Sequence, residues 1–229
     1  PKLPYDGDVI GAVQRSHPQS AAHDIVVCAA GTLPAELHKL WRAARPGGYH
    51  MEYGYSCMGY EIAGGIGVKM AHPEREVVVM VGDGSYLMLN SEIATSLLLG
   101  TKLVIVVQDN RGYGCIHRLQ QAVGGEGFNN LFDDCVQGSP GMPAIDFAAH
   151  ARALGALAEH ANSIAELEAA LSRARAADRT YVVVIDTDPL RTTEAGGWWW
   201  EVGVPEVSAT DKVRAARAEL ERGKRLQRP

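Results

Sequence analysis

The fold is decided by the stretch Val77-Val78-Val79-Met80-Val81-Gly82-Asp83-Gly84-Ser85 together with its sequel, Leu103-Val104-Ile105-Val106-Val107-Gln108-Asp109-Asn110. Both runs are nearly continuous in apolar, mostly β-branched residues. Strands covered on both faces of a parallel sheet look like this, whereas half-exposed strands alternate. Between the runs, Ile93, Ala94, Leu97 and Leu98 form one apolar helical stripe, with Asn90 placed to cap its start and Gly100 its end. A strand–helix–strand crossover brings Asp83 and Asn110 together at the carboxyl ends of neighbouring strands, where α/β sheets collect ligands.

The same rhythm extends outward. Ile25–Ala29 and Tyr181–Ile185 are further apolar strand candidates. Asp146 can cap a helix ending at Leu154-Gly155, and Ser163-Ile164-Ala165-Glu166 reads as a capping box ahead of Leu167 and Leu171. Strands alternating with helices predict an α/β fold, a doubly wound, mostly parallel sheet with helices on both faces. The expected organisation is a linker and lead-in helix over 1–20, the α/β domain over 21–190, and an extension over 191–229 packed on the domain or on a neighbouring subunit. Two segments break the rhythm. Gly124–Pro143 holds five glycines and two prolines and is a long loop, a class that is usually functional or mobile. Trp198-Trp199-Trp200 cannot all face one core; they either pack the tail down or form a substrate lid.

Composition narrows the function classes. The chain has 229 residues, 46% hydrophobic and 21% charged, within the ordinary globular range. A net charge of −5 leaves no basic stripe to neutralise phosphates, which argues against nucleic acid. The one basic cluster, Lys212 to Arg228, alternates with acids and alanines and reads as a solvated helix. Four scattered cysteines, Cys28, Cys57, Cys115 and Cys135, fit a reduced compartment better than a disulfide framework. Neither a signal peptide nor a bilayer-length apolar run is visible, so a cytoplasmic protein with no membrane partner is expected.

The chemistry lies at the strand ends. A carboxylate (Asp83), an amide oxygen (Asn110) and a nearby backbone carbonyl form a hard, all-oxygen set that suits Mg²⁺, with positions left for phosphate oxygens and water. Gly84 offers no side chain to block close approach, and the N–H groups of Gly84 and Ser85 can reach a phosphate. Gly-Asp-Gly also marks plain turns, so the order of the intervening elements matters more than the triplet. Other chemistries fit less well. A dinucleotide site would want G-x-G-x-x-G where Ala29-Ala30-Gly31-Thr32-Leu33 stands. Zinc would want clustered His and Cys, and a serine hydrolase G-x-S-x-G. His117 is open to two readings, substrate contact or helix packing.

With Gly82-Asp83-Gly84 followed, one helix and one strand later, by Asn110, the chain resembles the thiamin-diphosphate enzymes of the pyruvate decarboxylase and acetolactate synthase superfamily. The resemblance implies the thiamin-diphosphate-binding fold, with thiamin diphosphate and Mg²⁺ as cofactors. It assigns Asp83 and Asn110 as Mg²⁺ ligands through their side chains and Gly112 through its carbonyl. It assigns diphosphate contacts to Gly82, Gly84, Ser85 and Asn110, and to the loop Gly31-Thr32-Leu33. Met58, 25 residues before Asp83, falls where the family props the two cofactor rings into a bent shape, although an ordinary core methionine is the plainer reading.

Three longer words, Gly82 to Glu92, Asp109 to Gln120 and Trp199 to Ser208, resemble the ring-opening branch of that family in myo-inositol catabolism. That resemblance implies a polyhydroxy cyclic dione, trihydroxycyclohexane-1,2-dione, as substrate and 5-deoxy-glucuronic acid as product. It also implies a homo-oligomer, because the family completes its site with a pyrimidine-binding domain of the same or a partner chain. The activating glutamate belongs to that domain, so no catalytic residue is assigned here and the 229 residues alone are expected to be inactive. The alternatives are an acetolactate-synthase-like carboligase, a separate β subunit of a 2-oxoacid decarboxylase, and a degenerate domain kept for assembly.

Overall fold

A computed structural model describes residues 2–16, 24–135, 145–193 and 202–227. The four apolar runs form β1 (Ile25–Cys28), β3 (Val77–Gly82), β4 (Val104–Asp109) and β6 (Tyr181–Asp186), with β2 (Tyr49–Met51) and β5 (Leu157–Ala161) at the edges. All six strands are parallel, in the order β2-β1-β3-β4-β6-β5. The helices in chain order are α1 (Asp6–Arg15), α2 (Thr32–Leu40), α3 (Tyr60–Ala71), α4 (Asp83–Tyr86), α5 (Glu92–Leu98), α6 (Gly114–Ala122), α7 (Phe132–Cys135), α8 (Phe147–Ala153), α9 (Ile164–Ala176) and α10 (Asp211–Arg225).

Alternate strand residues feed two apolar layers. Val26, Val78, Val104, Val106 and Val183 pack with Val9 and Ile10 of α1, Leu37 of α2, and Leu167 and Leu171 of α9. Val27, Val79, Ile105, Val107 and Val184 pack on the opposite face with Ile62 of α3, Ile93 of α5 and Phe147 of α8. With both faces covered, the strands have no reason to alternate, which is why they read as continuous apolar runs. The lead-in helix α1 is thus part of the first layer, with Val9 and Ala12 fully buried.

Local details differ from the sequence reading at several points. Both edge strands were missed: β2 has three residues, and β5 (Leu-Ala-Glu-His-Ala) is too polar and exposed to carry an apolar signal. Asn90 does not cap α5. The N-cap is Ser91, and the Asn90 amide donates to the Leu87 carbonyl instead. In the α5 stripe Leu98 is 86% exposed, and Ser96 takes the inward position, bonded to Thr180. Gly100 does follow the helix, at φ +62°. Asp146 caps α8 through Ala149 N at 2.8 Å. Ser163 accepts from Glu166 N, but the Glu166 carboxylate turns to Asn162 N rather than to Ser163, so the box is only half closed. Helix α10 buries only Leu220, as a solvated helix should. Among the described residues no helix is long and apolar enough to cross a membrane. Residues 136–143 of the long loop and the Trp198–Trp200 cluster lie outside the described residues.

Candidate functional site

The register sets the site. Gly82 pairs with Gln108 across β3 and β4, so Asp83 and Asn110 leave the sheet side by side. Beyond Asn110 the chain turns sharply through Arg111 (φ +63°) and Gly112 (φ +136°). Gly112 is obligatory there on two grounds. Its φ lies where L side chains are strained, and an added Cβ would collide with the Asn130 carbonyl. The turn lets Gly112 N donate to Asp83 Oδ2 at 2.7 Å.

A carboxylate, a side-chain amide and a backbone carbonyl converge at this point. With its NH₂ group turned inward, the Asn110 amide donates to Asp83 Oδ1 at 3.2 Å and to Gly112 O at 2.7 Å. Rotated end for end, the same amide presents its oxygen beside the other two, a set that suits a hard cation. Electrostatics point the same way. Asp83 is 1% exposed, and its carboxyl is pushed up to about 7 by burial and then by the charge of Asp109, against the pull of three backbone N–H groups. Burial likewise raises Asp109. Among the described residues no Lys or Arg ion pair reaches either of them, and no cluster of three or more His, Cys, Asp or Glu side chains could hold a metal. One carboxylate, one amide and one carbonyl therefore make the candidate cation set, and it fits a hard divalent ion carrying phosphate.

A cavity of about 320 Å³ opens beside these oxygens. Its wall includes every residue that the resemblance assigned to cofactor or metal: Gly31, Thr32, Leu33, Met58, Gly82, Asp83, Gly84, Ser85, Asn110 and Gly112. Thus the loop after β1, the Met58 turn and the β3 and β4 ends come together from positions up to 81 residues apart. A Cβ added at Gly31 or Gly82 would meet nothing, so these positions face open space. At Gly84 a Cβ would lie 2.7 Å from the Tyr113 ring and 3.6 Å from Met58 Cε, so the Gly82-Asp83-Gly84 turn passes directly under those side chains. His117 is buried and absent from the cavity wall. Its Nδ1 lies 3.3 Å from Asp134 Oδ2, a packing contact with α7. A second, more open depression of about 590 Å³ lies over α3 and β2. It contains none of these residues and no carboxylate.

The structure adds residues that the sequence reading missed. Glu61, 1% exposed, accepts from Ser85 Oγ (2.8 Å), Gly59 N (3.1 Å) and Ala30 N (3.4 Å), tying three walls of the cavity together. Arg118 donates to Thr32 Oγ1 and to the Pro189 carbonyl, bracing the loop after β1 against the end of β6. Asp6 also lines the cavity; burial pushes its carboxyl up to about 7, against the pull of Arg118. The available signal was a lone acid in the apolar run after Met58, and a lone amide, Gln108, closing an apolar strand.

Comparison with known proteins places the chain in a family. Residues 29–185 match the protein-family model described as "Thiamine pyrophosphate enzyme, C-terminal TPP binding domain". Curated relatives include a 3D-(3,5/4)-trihydroxycyclohexane-1,2-dione hydrolase of Shouchella clausii, 41% identical over 83% of this chain. A protein of the same name from Bacillus thuringiensis is 44% identical over 84% of it. The chain spans about 30% of the length of each of these relatives. Among solved structures, the Rhodococcus jostii RHA1 thiamine diphosphate-dependent 4-hydroxybenzoylformate decarboxylase superposes with a TM-score of 0.68 at 18% identity. That match covers 82% of this chain and 33% of the decarboxylase chain, and at this identity it speaks for the fold alone.

Proposed function

The chain belongs to the thiamine pyrophosphate enzymes, whose C-terminal TPP-binding domain it carries, and from that premise we propose that it serves a thiamin-diphosphate- and Mg²⁺-dependent hydrolase. The proposed reaction opens the ring of trihydroxycyclohexane-1,2-dione to 5-deoxy-glucuronic acid. The observation that carries the cofactor reading is the convergence of the Asp83 carboxylate, the Asn110 side-chain amide and the Gly112 carbonyl beside a cavity whose described lining contains no Lys or Arg. The substrate class is supported by the names of relatives at 41–44% identity.

In this reading Asp83, Asn110 and the Gly112 carbonyl hold Mg²⁺, and the metal anchors the diphosphate rather than polarising the substrate. Gly82, Gly84, Ser85 and Asn110, with the loop Gly31-Thr32-Leu33, receive the diphosphate. Met58 supports the rings. Bound thiamin diphosphate supplies the electron sink for breaking a C–C bond beside a carbonyl, and the protein's part is to hold and orient it. Glu61 keeps Ser85, Gly59 and Ala30 in place around it. The activating glutamate is assigned to a pyrimidine-binding domain of the same or a partner chain, within a cytoplasmic homo-oligomer. The 229 residues alone are accordingly inactive.

The test is turnover by the complete gene product with thiamin diphosphate and Mg²⁺, offered the dione and, separately, pyruvate. Consumption of the dione alone is the expected result. Consumption of pyruvate with the dione untouched would overturn the substrate assignment and move the protein to the decarboxylase or carboligase branch.

A further inference from the structure

Gln108 closes strand β4 and is 1% exposed. On the strand it continues the face of Val104 and Val106, and its register partners are Gly82 on β3 and Ile185 on β6. Every neighbouring position on that face of the sheet is apolar or glycine, and an apolar residue at 108 would extend the core layer. Instead an amide stands there with neither Oε1 nor Nε2 bonded to anything. Burying both ends of an amide without partners costs free energy, and native proteins keep such groups where something else completes them. Gln108 lines the cavity that contains Asp83 and Asn110, and among the described cavity-lining residues it is the one with buried, unpartnered side-chain atoms.

We propose that Gln108 is a further diphosphate-binding residue, its Nε2 donating to a phosphate oxygen from the cavity floor; this rests on the thiamin-diphosphate reading of the site. Three placements select the diphosphate over the rings as its ligand. Gln108 stands opposite Gly82, one residue before Asp83, and two residues before Asn110, so it belongs to the end of the cavity that Asp83 and Asn110 line. The space beside Gly82 and Gly31 is open, giving a phosphate room against the amide. The apolar wall that suits rings, Met58, Ile116 and Leu119, is supplied by other elements. An anion satisfies the donor end of the amide, and the acceptor end is left to water.

The experiment measures binding of Mg²⁺–thiamin diphosphate to the complete gene product by titration calorimetry, and competition by inorganic diphosphate, for wild type, Gln108→Met and Gln108→Glu. Gln108→Met should raise the dissociation constants for thiamin diphosphate and for inorganic diphosphate by about tenfold, the loss of one hydrogen bond to a charged acceptor. Its cofactor-free melting temperature should stay level or rise, because an unpaired amide has been removed. Gln108→Glu keeps the shape and sets a negative charge against the phosphates, so it should weaken both ligands further than Gln108→Met. If both variants bind within about twofold of wild type, the inference is overturned while the cofactor reading stands. It is also overturned if thiamin diphosphate weakens but inorganic diphosphate does not. Wild type failing to bind thiamin diphosphate at all would instead overturn the reading beneath it.

Discussion

The two ends of the sheet treat buried charge in opposite ways. At the amino end, where β1, β3, β4 and β6 begin, ions meet partners of opposite sign. Arg175 Nη1 lies 3.3 Å from Asp24 Oδ2, Lys102 Nζ lies 3.7 Å from Glu76, and Lys102 also donates to the Arg175 carbonyl at 2.6 Å. At the carboxyl end, buried Asp83 and Glu61 and half-buried Asp109 sit among backbone N–H groups and one hydroxyl, with no cation at ion-pair distance among the described residues. At the amino end each of these charges has an ion-pair partner, an arrangement that works for stability. The carboxyl end carries buried carboxylates without such partners, which is what the proposed cation and its ligand would complete.

Breaking the carboxyl end should therefore cost binding and leave the fold intact. Asp83→Asn is expected to weaken Mg²⁺-dependent thiamin diphosphate binding on the order of a thousandfold. The cofactor-free protein should melt no lower than wild type. A calorimetric titration paired with thermal melting checks both, and a large drop in melting temperature would erase the contrast. At the amino end the same kind of change should do the reverse. Asp24→Asn leaves Arg175 half-buried without its carboxylate and should cost about 3 kcal/mol in urea unfolding, with cofactor affinity retained.

The pH dependence sharpens the comparison. The folded-state carboxyls of Asp6 and Asp83 are pushed from 3.8 up to about 7, chiefly by burial. Between those values the folded protein holds protons that the unfolded chain has released. Stability is then greatest below about pH 4 for these groups and is lost as the pH rises towards 7, by up to about 1.4 kcal/mol per pH unit for each. Asp6→Asn should remove one group's share of that slope, and Mg²⁺ with thiamin diphosphate should flatten the share of Asp83. Urea unfolding at pH 5, 6 and 7 provides the readout, and a slope of the opposite sign would contradict the contrast. The smallest expected effect lies away from both ends. Ser163→Ala removes the side-chain cap of α9 and should cost about 1 kcal/mol with binding unchanged.

Much of this was legible before any coordinates. Val77–Val81 and Leu103–Gln108 declared buried parallel strands because two-sided burial removes alternation, and their order placed Asp83 beside Asn110. The edge strands were silent for the complementary reason: Leu157–Ala161 is exposed and polar, and Tyr49–Met51 is too short to hold a period. Helix caps were half legible. Asp146 behaves as local chemistry dictates, whereas Asn90 and Glu166 found competing partners one or a few residues away.

By itself the sequence determined the α/β architecture, which follows from residue type and periodicity, and set Asp83 and Asn110 at the ends of neighbouring strands. Tertiary structure alone decided how the walls meet. Gly31, Met58, Asp83 and Gly112 share one cavity because the strand order β2-β1-β3-β4 places the four loops that follow these strands side by side. Glu61 joins those loops through contacts up to 31 residues apart. The missing partners of Gln108 could be seen only once the sheet was assembled, because whether a buried polar group is satisfied depends on every element packed around it.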